Sequence, residues 1–153
     1  MLTWRKGSVG DSGQVARLSA LAFDPEYRES WTEAQIAGIL HSAGGWLDLG
    51  FDDQNNLLAF ALNRQILDEV ELLLCAVHPD FRRLGLGFTL IDTVCQSARS
   101  RLARRIFLEV RRTNDAGRAL YRQCGFSVYG IRSHYYRSLD GESIDAMTLE
   151  LVL

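Results

Sequence analysis

Six apolar residues in a row, Leu72-Leu73-Leu74-Cys75-Ala76-Val77, stop at His78-Pro79 and lead into Arg82-Arg83-Leu84-Gly85-Leu86-Gly87. A strand with one wet face alternates apolar and polar residues, whereas a strand covered on both faces does not. Val70 to Val77 is therefore predicted as an internal strand with a layer on either side. Proline cannot donate to the ladder, so the strand ends at His78-Pro79. Past the glycines, Ile91, Val94, Cys95, Ala98 and Leu102 recur at i, i+3, i+4 spacing, which predicts a long helix from about Gly87 to Leu102. Buried strand, glycine loop and helix in that order place the open N–H groups of a helix start next to the end of a covered strand.

The remaining segments fill out an α/β order. Thr3 to Val9 reads as a first strand. Asp11 and Gln14 have the spacing of a capping box ahead of a helix through Val15, Leu18 and Ala22, and Thr32 with Gln35 forms a second one before Ile36, Ile39 and Leu40. Trp46 to Phe51 and Leu57 to Asn63 alternate around the turn Asp53-Gln54-Asn55-Asn56, the pattern of a hairpin. Ile106 to Val110 is a strand, Asn114 caps a helix reaching Gln123, and Gly125 closes it. Ser127 to Tyr136 and Ile144 to Leu153 are two closing strands around Asp140-Gly141. The order β-α-α-β-β-β-α-β-α-β-β implies one domain over residues 1–153, with helices on both sides of a mixed sheet.

Composition excludes several classes. With 153 residues, 47 % apolar and 24 % charged, the chain has ordinary globular makeup. A net charge of −2 argues against a general nucleic-acid binder. Arginines cluster locally, at Arg82-Arg83, Arg99 to Arg105 and Arg111-Arg112, and these are either a solvated face or an anion-binding rim. Cys75, Cys95 and Cys124 are scattered, with no CxxC pair and no nearby histidine cluster, so neither a metal site nor a disulfide framework is expected. Met1 to Lys6 lacks the apolar core of a signal peptide, and no apolar run reaches the ~20 residues that span a bilayer. The expectation is a cytoplasmic protein without membrane contact.

The sharpest local feature remains Arg82 to Gly87. Glycines at 85 and 87 allow close backbone approach and positive φ. The helix start behind them supplies N–H donors and the positive end of the macrodipole, which suits a pyrophosphate. The segment is neither a P-loop, lacking Gly-Lys-Ser/Thr, nor GxGxxG. A plain helix start is the alternative reading of the hexamer taken alone.

Arg-x-x-Gly-x-Gly after Ala76-Val77-His78-Pro79 resembles the acetyl-CoA loop of GNAT acetyltransferases. Leu108-Glu109-Val110-Arg111, Asn114, Ala119-Leu120-Tyr121 and Cys124-Gly125-Phe126 resemble the second half of that family's core. Leu57 to Leu153 is similar to RimI-type enzymes, which acetylate the N-terminal alanine of a ribosomal protein. The N-terminal part is less similar. The resemblance implies a GNAT-like α/β (α+β) fold: a central, mostly antiparallel mixed sheet of about seven strands with about four helices on its two faces. It also implies acetyl-CoA as cosubstrate, no metal, and the N-terminus of an acceptor protein as partner.

Acetyl transfer needs a base for the ammonium proton, donors for the developing oxyanion and an acid for the leaving thiolate. Glu109 lies within apolar Phe107-Leu108-Glu109-Val110, where partial burial would make it a base; pairing with an arginine such as Arg111 is the other reading. Tyr121 is the acid that the resemblance implies, with core filling as its alternative. Backbone groups of Cys75, Ala76 and Val77 are expected to hold the pantetheine arm. Arg82, Arg83, Leu84, Gly85, Leu86, Gly87 and Phe88 are expected to hold the phosphates, with Asn114 as both helix cap and coenzyme contact. Tyr135 and Tyr136 resemble the tyrosines that cover the substrate peptide in N-terminal acetyltransferases, although Arg137 stands where proline is usual. An aromatic cross-strand pair is the other reading. Trp31 falls near the expected substrate groove. Cys124, at a helix C-terminus, is the wrong candidate for a nucleophile. A small-amine acetyltransferase and a non-catalytic coenzyme-binding module are the competing functions.

Overall fold

Strand alternation divides the apolar residues between the two faces of one sheet. The computed structural model describes residues 2–153. The strands are β1 (Thr3–Gly7), β2 (Gly45–Phe51), β3 (Leu57–Ile66), β4 (Glu69–Val77), β5 (Arg105–Arg111), β6 (Ser127–Arg137) and β7 (Ser143–Val152). The helices are α1 (Ser12–Ala22), α2 (Glu33–His41), α3 (Leu86–Ser100) and α4 (Asp115–Gln123). The seven strands lie in the order β1-β2-β3-β4-β5-β7-β6. Only β4 and β5 are parallel; every other neighbouring pair is antiparallel. The expected element order and sheet type are both present.

One face packs Val15, Leu18 and Ile36 of α1 and α2 onto Leu47, Leu49, Phe60 and Leu62. The other packs Leu90, Ile91, Val94 and Ala98 of α3 onto Ala59, Ala61, Val70, Ile106 and Leu108. Among the described residues, no helix is long and apolar enough to cross a membrane.

Thr32 and Gln35 form the expected reciprocal cap, each backbone N–H donating to the other side chain at 2.9 and 3.2 Å. Asp11 does not cap α1 as expected. Its carboxylate is taken by Arg5 at 2.9 and 3.1 Å and by the Ser8 N–H at 2.8 Å, while the Gln14 side chain donates to the carboxylate instead of accepting from a backbone N–H. A charged guanidinium outcompetes the helix N–H groups for the same oxygens.

Under α3, the fully buried Asp48 accepts from Lys6, from Ser97 Oγ at 2.9 Å, from Trp46 Nε1 at 3.1 Å and from Asn63 Nδ2 at 3.2 Å. In Asp48→Ala, Lys6 can turn to water, but Trp46 Nε1 and Asn63 Nδ2 remain buried without their acceptor. That variant is expected to lose about 2–4 kcal/mol of stability, read by urea unfolding.

Candidate active site

The parallel pairing of β4 with β5 runs only from Glu69↔Arg105 to Leu72↔Leu108. The break coincides with a register shift on the other side of β4, where Asn63 faces Leu72 but Leu62 faces Leu74. Leu73 is thus an extra, bulged residue. It shifts the alternation by one: Val70 and Leu72 face α3, whereas Leu74 joins the cluster under α1 and α2. The unbroken apolar run in the sequence therefore reflects this shift as well as a covered strand. Beyond Leu72, the β5-facing edge of β4 has no strand partner, which opens a slot in the sheet.

A cavity of about 990 Å³ lies at that slot, lined by residues from both faces. Cys75 follows the bulge and turns toward α4, where its Sγ lies 3.3 Å from Tyr121 Oη. Tyr121 also packs edge-on against Phe126, with ring centroids 5.8 Å apart. Burial pushes the Tyr121 phenol well above the usual tyrosine value, and the neighbouring Cys75 adds to the effect. Burial likewise raises the Cys75 and Cys124 thiols.

On β5, Ile106, Leu108 and Val110 point into the core, leaving Phe107, Glu109 and Arg111 on the opposite side, where all four of Phe107, Glu109, Tyr135 and Tyr136 line the cavity. The apolar neighbours of Glu109 implied partial burial, and its side chain is partly buried, 29 % exposed. Its partner is Arg132 rather than Arg111: Arg132 Nη1 donates to Glu109 Oε1 at 2.7 Å. β7 separates β5 from β6, so this pair reaches across an intervening strand.

Arg111 pairs with Glu29 at 3.5 Å, both side chains largely buried, and its guanidinium lies 3.6 Å from the centre of the Tyr27 ring. Burial raises the Glu29 carboxyl, with Arg111 opposing. Consecutive strand residues normally point to opposite faces. Between Arg132 and Tyr136, however, β6 slips in register against β7, with His134 at φ +57°. The irregularity brings both Tyr135 and Tyr136 to the cavity, ring centroids 5.1 Å apart, so they form a contact within one strand and not a cross-strand pair. Trp31 also lines the cavity.

The glycine segment lies outside the cavity lining. Arg83 has φ +64° and Gly85 has φ +79°, and a Cβ built on Gly85 meets nothing within 4 Å. The open space over this residue, at the N-cap of the 15-residue α3, is the room an anion needs against the first N–H groups of the helix. Gly87 has a different role: a Cβ there would sit 3.0 Å from Leu120, so it lets α3 approach α4. Leu84 and Phe88 are exposed. Arg82 is exposed, and its Nη2 donates to the Ala22 carbonyl at 2.6 Å. Asn114 is the cap expected, accepting from Gly117 N at 3.0 Å, and also lines the cavity.

Residues 13–126 match the Acetyltransferase (GNAT) family. The chain belongs to the GNAT acetyltransferases. It is 34 % identical over 121 residues to the ribosomal protein bS18 alanine N-acetyltransferase of Escherichia coli K12, covering 79 % of this chain and 80 % of that protein. The counterpart from Haemophilus ducreyi is 33 % identical over 116 residues, covering 75 % and 80 %. The crystal structure of the ribosomal-protein-S18-alanine N-acetyltransferase from Escherichia coli superposes with a TM-score of 0.88 at 29 % identity, over 99 % of this chain and 94 % of that one.

Within this GNAT site the fold gathers Glu109, Tyr121, Cys75, Asn114, Trp31, Tyr135 and Tyr136 around one cavity. Ala76 and Val77 continue the free edge of β4, and Arg82 to Phe88 stand apart at the start of α3. Sequence reasoning missed Phe23, Tyr27, Arg28 and Glu29, which lie in a loop without periodicity, and Arg132, whose link to Glu109 depends on strand order. A proline-started turn, Pro25–Tyr27, was the available signal for an ordered loop.

The raised Tyr121 value predicts an optical signature. In an alkaline titration, the difference between wild type and Tyr121→Phe in phenolate absorbance should emerge only well above pH 10. A difference already present near pH 10 would mean that the hydroxyl is solvated and not buried against Cys75.

Proposed function

We propose that this GNAT acetyltransferase moves the acetyl group of acetyl-CoA to the N-terminal α-amine of a protein, with a ribosomal-protein alanine as the acceptor class. The observation that carries this reading is the slot: it lets Glu109, from one side of the sheet, and Tyr121, from the other, reach one cavity. The names of the bacterial relatives support the acceptor class, and a ribosomal-protein acceptor implies the cytoplasm. The whole chain, residues 1–153, acts as one catalytic unit.

Acetyl-CoA supplies the activated acyl group as a thioester. The free edge of β4 at Cys75, Ala76 and Val77 offers backbone groups to an extended arm. The N–H groups from Arg83 through Leu84, Gly85, Leu86 and Gly87 to Phe88 offer an anion cradle, and Asn114 closes the side by α4. Phosphates are held there by backbone donors and the helix dipole.

Glu109 accepts the ammonium proton and so exposes the nitrogen lone pair. To do so, the acceptor ammonium takes the place of Arg132 at Glu109 Oε1. Tyr121 Oη holds its proton at neutral pH, available to the departing sulfur. An α-amine with pKa ~8 is easier to deprotonate than a lysine at ~10.4, by about 3 kcal/mol, which favours an N-terminus for a carboxylate base. Trp31, Tyr135 and Tyr136 form the walls that take the first residues of the peptide.

Gly85→Val is expected to abolish acetyl-CoA binding by isothermal titration, because a β-branched residue disfavours φ near +79° and fills the open space above the loop. Unchanged affinity removes the phosphate assignment. Glu109→Gln should lower kcat by roughly 10²–10⁴-fold. Tyr121→Phe should lower kcat with coenzyme affinity nearly intact, and a donor with a better leaving group should rescue it but not Glu109→Gln. Near wild-type kcat in both variants would leave positioning alone to carry the reaction. In a panel of acceptors, an N-terminal alanine peptide should exceed spermidine and an internal-lysine peptide in kcat/KM; the reverse order makes this a small-amine or lysine acetyltransferase.

A further inference from the structure

The loop between α1 and α2, residues 23–31, supplies Phe23, Tyr27, Arg28, Glu29 and Trp31 to the cavity. Three ties hold it, one to α1 and two to β5 and the β6–β7 turn. Trp31 N donates to Ser19 Oγ at 3.1 Å, Leu139 N to the Glu26 carbonyl at 3.0 Å, and Glu29 pairs with Arg111 at 3.5 Å. A fourth tie comes from the coenzyme side. Arg82, 60 residues away in sequence, donates from Nη2 to the carbonyl of Ala22, the last residue of α1.

The terminal carbonyls of a helix have no partner within it. α1 ends without a left-handed glycine or asparagine: the chain turns directly extended at Phe23, with φ −100° and ψ 139°. The last carbonyls are left to solvent or to an outside donor, and a cation at a helix C-terminus also complements the macrodipole. Arg82 supplies both. It forms no other side-chain hydrogen bond among the described residues, while Arg83, the next residue, forms none at all with its side chain. The two arginines thus differ in duty although the sequence presents them as a pair.

We infer that Arg82 is a positioning residue that joins the coenzyme loop to the acceptor loop, and that its main effect is on the acceptor. Its guanidinium anchors the end of α1 and so fixes where Phe23 and the residues after it stand along the cavity wall. The inference rests on the reading of the segment that carries Arg82 as the coenzyme loop.

The test compares wild type, Arg82→Ala and Arg82→Lys, with Arg82→Gln as a bulk-preserving control. Hydrogen–deuterium exchange of residues 23–31 is followed in the coenzyme-free protein, acetyl-CoA affinity by titration calorimetry, and acceptor KM and kcat with an N-terminal alanine peptide. In Arg82→Ala, exchange across 23–31 should quicken and acceptor KM should rise, each about three- to tenfold, with kcat and acetyl-CoA affinity within about twofold of wild type. Arg82→Lys, which keeps a charged donor, should restore most of both. Unchanged exchange in Arg82→Ala overturns the assignment. So does a loss of acetyl-CoA affinity of about tenfold with acceptor KM unmoved, the pattern of a direct phosphate ligand. Exchange and calorimetry use no acceptor, so a wrong acceptor class shows as an inactive peptide while both readouts still decide the role of Arg82.

Discussion

Everything at this site depends on β4 and β5 parting after Leu72 and Leu108. A continuous sheet is a wall: side chains on one face cannot meet those on the other. The bulge at Leu73 ends the parallel pairing and reverses the direction of every later side chain on β4. Cys75 consequently turns to α4 and Tyr121, while the backbone edge of β4 is left without a strand partner. That edge would be a liability on an exposed strand. Here it is sheltered between covered faces, and in the proposed function an extended ligand arm is the partner that satisfies it.

Charge around the cavity is arranged by burial. Glu29 and Arg111 are both largely buried and paired, with Arg111 stacked on Tyr27, so this ion pair lends shape to the wall. Breaking a buried pair by removing one partner is costly. Glu109 and Arg132 form a more exposed pair, with the Arg132 side chain half exposed and its guanidinium 4.1 Å from the centre of the Tyr135 ring. Exposed pairs contribute little stability and exchange partners readily. The two pairs differ accordingly: one fixes the wall, and the other, in the proposed function, leaves a carboxylate within reach of an incoming ammonium.

Several features were legible because they are local. Leu72 to Val77, the apolar stripe on α3 from Ile91 to Ala98, the Thr32–Gln35 cap, Asn114 and the Asp140-Gly141 turn each depend on neighbours a few residues away and formed as read, whereas Leu102, expected to continue the stripe, lies beyond the helix end at Ser100 with φ +62° and is exposed. Gly85 was legible as a left-handed position ahead of a helix. The Asp11–Gln14 cap failed because Arg5, on another element, competes for the carboxylate. Pairing of Glu109 with an arginine formed, but with Arg132 in place of Arg111: β6 returns beyond β7 and brings Arg132 within reach, while Glu29 claims Arg111.

The sequence by itself determined the alternation of elements, the covered strand and the glycine-started helix behind it, because hydrophobic periodicity and backbone conformational preference act over short spans. It also presented Glu109 and Tyr121 as candidates through motifs with fixed spacing. Only the tertiary structure decided that these two residues reach the same cavity from opposite sides of the sheet, that Tyr135 and Tyr136 both turn toward it, and that Arg82 reaches back to α1 while Arg83 does not. Each of those outcomes depends on strand order, bulge position or a contact between residues far apart in the chain, none of which short-range patterns encode.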